Sequence, residues 1–150
     1  MGFAAYDPVR IEVASSLGEK KVRLFTCVAA LVMAMVVVGC TSAPIMNVDS
    51  EAVSSASGKP LTQDEVRGAI IRAGTALGWQ MKDEGPNKLI GTLTLRTHTA
   101  VVEIPYSATK FSIKYRSSVN LNESGGKIHK NYNGWIQNLN RGINAQISAL

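Results

Sequence analysis

Few side chains in this 150-residue chain have the types for chemistry: His98 and His129, Cys27 and Cys40, and a row of bases at Lys110, Lys114 and Arg116. A metal site needs ligands that converge on one point, as His-x-x-x-His or Glu-x-x-His on a helix would place them, and neither spacing occurs. Acid–base work needs two carboxylates held together, yet Asp83, Glu84, Glu103 and Glu123 are scattered over different predicted elements. The chain has no Gly-x-Ser-x-Gly, Walker loop or Gly-x-Gly-x-x-Gly, so it predicts no enzyme, no cofactor and no metal. Arg96 and His98 could bind a ligand as a pair, or be plain solvated strand and turn residues. Together with Lys110, Lys114 and Arg116 they form the candidate partner-binding face, suited to anionic lipid headgroups or an acidic protein. The same pattern also fits a polar strand face whose lysines discourage edge pairing. His129, beside Asn131 and Asn133, reads as a capping residue at a helix start.

The cysteines lead elsewhere. Lys20, Lys21 and Arg23 precede an apolar run from Leu24 to Val38, 15 residues long. As a helix that run spans roughly 22 Å, short of the roughly 30 Å bilayer core, which suits a signal peptide better than a membrane span. It closes on Val37-Val38-Gly39-Cys40, which resembles the bacterial lipobox, with valine at 37 where leucine is commoner. The resemblance implies cleavage between Gly39 and Cys40 and a diacylglyceryl group, then palmitate, on Cys40. An acylated Cys40 would hold the chain on a membrane, because each buried methylene contributes about 0.8 kcal/mol. Thr41, in place of the aspartate that marks inner-membrane retention, implies the periplasmic face of the outer membrane; an uncleaved segment would mean an inner-membrane anchor. Export makes nucleic acid a poor partner. Residues 1–19 fit no signal architecture, and a translation start near Lys20 accounts for them.

Residues 1–39 would take Arg10, Lys20, Lys21, Arg23, Asp7, Glu12 and Glu19 with them, leaving 12 basic against 8 acidic residues in place of 16 against 11. Cys27 also leaves, so no disulfide is available and stability must come from packing. With 45% hydrophobic and 18% charged residues the chain is neither disordered nor fibrous. Residues 40–59, rich in Ser and Ala and without periodicity, predict a lipid-anchored flexible tether with a coil span of roughly 24 Å. The folded domain is expected over 60–150.

Thr62 and Glu65 form a capping box, and Val66, Ala69, Ile70, Ala73 and Leu77 recur at helical spacing, predicting a helix over Gln63–Leu77. Gly78 suits the position after its end, with Trp79 packing back. Alternation then predicts strands around Leu89–Leu95, Ala100–Tyr106 and Lys110–Arg116, with an extra edge strand at Trp79–Asp83 and a reversal at Thr97-His98-Thr99. On this reading Arg96 and His98 share the polar face of Thr92 and Thr94. Tyr132, Trp135, Ile136, Leu139, Ile143 and Ile147 make one stripe of a last helix over Tyr132–Ala149, with both aromatics in the core. The fold class is α+β: an antiparallel meander of three to four strands flanked by N- and C-terminal helices packed on one face. A small-ligand or lipid module is the alternative, using a cavity that Gly91 and Ala100 would leave between sheet and helices.

The stretch Gly91–Leu121, with Pro105-Tyr106-Ser107-Ala108-Thr109 and Phe111-Ser112-Ile113-Lys114-Tyr115, resembles a group of small proteobacterial lipoproteins. So does Lys127-Ile128-His129-Lys130-Asn131-Tyr132-Asn133-Gly134-Trp135, although the group's pattern has proline at 130 and a charged residue at 134. The resemblance implies an α-β-β-β-α periplasmic domain and assigns no activity.

Overall fold

A computed structural model describes residues 41–150. The segment expected as a signal peptide, with the expected cleavage between Gly39 and Cys40 and acylation of Cys40, lies outside the described residues.

Helix α1 (Gln63–Ala76) starts where the capping box predicts. The Thr62 N–H donates to Glu65 Oε2 at 2.7 Å and the Glu65 N–H donates to Thr62 Oγ1 at 3.3 Å. Its end is closed by N–H groups of Gly78 and Trp79 donating to the carbonyls of Thr75 and Gly74, with Gly78 at φ +82°. Only a residue that tolerates this left-handed backbone allows the turn, and it folds Trp79 into the core at 3% exposure.

Strands β3 (Gln80–Asp83), β4 (Lys88–Leu95), β5 (His98–Pro105) and β6 (Lys110–Val119) run as an antiparallel meander. Their inward residues, among them Leu89, Leu93, Ala100, Val102, Ile104, Phe111 and Ile113, are buried against Val66, Ala69, Ile70 and Ala73 of α1. Helix α2 (Asn131–Ser148) adds Tyr132, Ile136, Leu139, Ile143 and Ile147 to the same core. The two helices pack together at Gly142, where a Cβ would stand 3.2 Å from Leu77 Cδ1 and 3.6 Å from Ala73 Cβ. Trp135 departs from expectation: it is partly buried against the core while Tyr132 is wholly inside.

The larger correction concerns the segment expected as a tether. Strand β1 (Ser42–Pro44) pairs with β7 (Lys127–His129), and β2 (Val48–Ala52) adds a fifth strand to the sheet, in the order β2-β6-β5-β4-β3. Alternation does not mark these strands because their hold is mostly backbone. Val48 is the buried hydrophobic residue of β2, and the register shifts between Val48 and Glu51, with Ser50 at φ +51°. Both edges of the sheet are short, and the bulged β2 makes a poor template for further pairing.

Candidate functional site

The basic row lies on the sheet face opposite the helices. There β6 is interrupted: Val102 faces Tyr115 and Val101 faces Ser117, so Arg116 is an extra residue at a β-bulge. From there Arg116 reaches across the neighbouring strands. Its Nη1 sits 2.7 Å from Glu84 Oε1 and 3.5 Å from Glu103 Oε1, and Lys88 Nζ lies 2.9 Å from the other Glu84 oxygen. Lys114 is ion-paired with Asp49 on β2. Hydrogen bonds from Arg116 and Lys88 hold the Glu84 carboxyl below the usual carboxylate range, and the Glu84 carboxylate raises both cations in return. On the sheet edge Arg67 grips Asp83, Nε to Oδ1 at 2.8 Å, lowering that carboxyl by the same cause. These pairs are exposed, so each stabilises little. Their effect is on the field, because a row of bases meets its own carboxylates and the face becomes mixed in charge.

The five residues expected on one face are not brought together. Lys110 faces Ala52 at the far end of β6, without a carboxylate within 4.0 Å among the described residues. Arg96 stands in the two-residue turn Arg96-Thr97, at φ +55°. That turn comes one residue earlier than expected, and Leu95 pairs with His98. Because side chains alternate along a strand, His98 falls on the side of Ala100, not with Thr92 and Thr94. No glycine or asparagine occupies the turn to announce its position. The Asn120 side-chain N–H donates to the Thr97 carbonyl at 2.7 Å and ties the tip to the end of β6.

His129 is used structurally. Its Nδ1 accepts from the Asn131 N–H at 3.3 Å, at a helix start where Lys130 provides no side-chain cap. The space expected beside Gly91 is filled: a Cβ there would meet Trp79 Cε3 and Val102 Cγ2 at 3.2 Å and Met81 Sδ at 3.4 Å. Among the described residues no group of three or more His, Cys, Asp or Glu could hold a metal ion. No helix of the described residues is long and apolar enough to cross a membrane.

What the pattern of residues did not reveal is how the chain after Cys40 is seated. The Lys130 N–H donates to the Thr41 carbonyl and the Ile45 N–H to the Gly126 carbonyl, both at 2.9 Å. Asn133 bridges Pro44 and Met46, and the Tyr115 N–H donates to Asn47 Oδ1 at 2.7 Å. The signal was in the asparagines, which can replace a missing backbone partner with a side-chain amide. Beside this seam lies a shallow groove of about 530 Å³, lined by Lys130, Asn131, Gly134 and Trp135 among others.

No protein-family model, curated protein or solved structure matches this chain.

Proposed function

We propose that the chain is exported and processed to a lipoprotein anchored through acylated Cys40 on the periplasmic face of the outer membrane. Its role there is non-enzymatic: binding another envelope component or supporting the envelope structurally. One observation carries this reading. The basic flank, the short apolar run, Gly39 and Cys40 fall in a single register, and each has the type its processing step requires. A thiolate must accept the diacylglyceryl group, and a small residue must fit the peptidase beside the cut. The outer-membrane assignment rests on Thr41 alone.

Intact mass of the membrane-fraction protein, wild type beside Cys40→Ala, tests the reading. The expected wild-type mass is that of a triacylated or diacylated chain starting at Cys40, with processing lost in the variant. A chain still carrying residues 20–39 would overturn it and move the protein to the inner membrane through an uncleaved segment. A saturable turnover by the purified protein, abolished by changes on the outer sheet face, would overturn the non-enzymatic part.

A further inference from the structure

We infer that the end of the domain carrying Thr41 is a membrane-contact surface for anionic phospholipid headgroups, an inference that rests on acylation of Cys40. The geometry of the seam points to it. Cys40 is joined directly to Thr41, and consecutive Cα atoms of a chain stand about 3.8 Å apart. The Thr41 carbonyl is already hydrogen-bonded to the Lys130 N–H at 2.9 Å, and pairing with β7 starts at the next residue, Ser42 opposite His129. A coil that would let the domain drift from the bilayer is therefore missing between the acylated residue and the folded core. Acyl chains on Cys40 bring this end, and no other, to the headgroup layer.

Three exposed cations stand at the same end. The His129 N–H donates to the Leu121 carbonyl at 2.8 Å, and Asn120 reaches the Thr97 carbonyl, so β7, the end of β6 and the tip of the β4–β5 hairpin share one end of the sheet. Lys127, Lys130 and Arg96 project there, all exposed and without a carboxylate within 4.0 Å among the described residues. Glu123, in the loop before β7, is the acidic side chain at this end. Elsewhere on the domain Arg67, Lys88, Lys114 and Arg116 are each matched by a carboxylate, whereas Lys59, Arg72, Lys82, Lys110 and Arg141 have none within 4.0 Å among the described residues, so what sets this end apart is its place beside Thr41. Two of the exposed large apolar residues, Leu95 at 45% and Val119 at 56%, flank the hairpin tip. Trp135, partly exposed on the first turns of α2, has the apolar body and polar N–H that suit the membrane interface. Cations near an anionic leaflet are attracted over about a Debye length, so they can orient a domain that its acyl chains already hold there.

The experiment uses the acylated protein reconstituted into vesicles. Of the two tryptophans, Trp79 is 3% exposed in the core, which leaves Trp135 as the side chain open to a quencher in the bilayer. Vesicles of phosphatidylglycerol and phosphatidylethanolamine, brominated high on the acyl chains, are compared with vesicles of phosphatidylcholine brominated alike. The expected result is quenching of Trp135 emission in the anionic vesicles, lost in Trp135→Phe, in Lys127→Glu/Lys130→Glu and at high salt. The salt arm needs no variant, so a folding defect cannot imitate it. Equal quenching in both vesicle types, or none in either with the protein still vesicle-bound, would overturn the surface while leaving the anchor intact. If the protein does not stay with vesicles and its mass shows no acyl group, the anchor itself has failed, and the surface with it.

Discussion

The side-chain amide of Asn133 grips the backbone on both sides of Ile45: Nδ2 donates to the Pro44 carbonyl at 2.9 Å, and Oδ1 accepts from the Met46 N–H at 3.1 Å. A residue on the last helix thus fixes the first residues of the domain, 87 and 89 positions away in the chain. Asn133→Ala leaves two backbone groups without this partner, and a loss of about 1–3 kcal/mol is expected. Hydrogen exchange at Ser42–Met46 should accelerate more than exchange in β4 and β5. Uniform acceleration across the sheet would mean that the segment is no separate unit of opening.

Gly91→Val tests whether the core is filled on the inner side of β4. The added Cβ would press on Trp79 and Val102 at 3.2 Å, and a branched side chain extends the clash. Overpacking of this kind costs about 1–3 kcal/mol, read from the shift of a urea transition. An unchanged or more stable variant would show spare room between sheet and helices, and the cavity reading would revive.

Tyr132 lies wholly inside the core with its ring edge-on to Tyr115, centroids 5.5 Å apart, and its hydroxyl has no hydrogen-bond partner among the described residues. Burial pushes the phenol far above its usual ionisation range. Tyr132→Phe removes the unpaired polar group and keeps the ring contact, so the melting temperature should hold or rise. A loss above about 1 kcal/mol would reveal a partner for the hydroxyl.

Acid sensitivity should trace partly to Glu84. Its folded carboxyl titrates lower than in the unfolded chain, first because of the Arg116 hydrogen bond and then that of Lys88. A depressed carboxylate contributes stability that is present above the unfolded value and is lost as pH falls through the folded value. The melting temperature of wild type should therefore drop more steeply on acidification than that of Glu84→Gln, with the two curves converging at low pH. Added salt should shrink the gap at neutral pH, because the pairs are exposed. Parallel curves would mean that the Arg116–Glu84–Lys88 cluster has no bearing on stability.

Thr62→Ala removes the cap of α1 and should cost about 1 kcal/mol, with Thr62→Ser recovering most of it. Equal melting of all three proteins would show that tertiary packing alone holds the helix start.

By itself the sequence determined the elements whose information is local or periodic. The capping box at Thr62 and Glu65, the Gly78-Trp79 stop and the alternation through Leu89–Leu95 and Ala100–Tyr106 each act within a few residues, and the structure places helix and strands there. Tertiary structure alone decided the rest. The strands at Ser42–Pro44 and Val48–Ala52 are held by backbone partners far along the chain, which leave no periodic trace in their own side chains. The turn at Arg96-Thr97 lacks glycine or asparagine, and a slip of one residue there moved His98 to the opposite face. The bulge at Arg116 was likewise unannounced, and only the meander brought Glu84 and Glu103 within reach of that base. Side-chain type can be read residue by residue; the sign of a surface depends on which opposite charges the fold sets beside it, and that is a property of the assembled sheet.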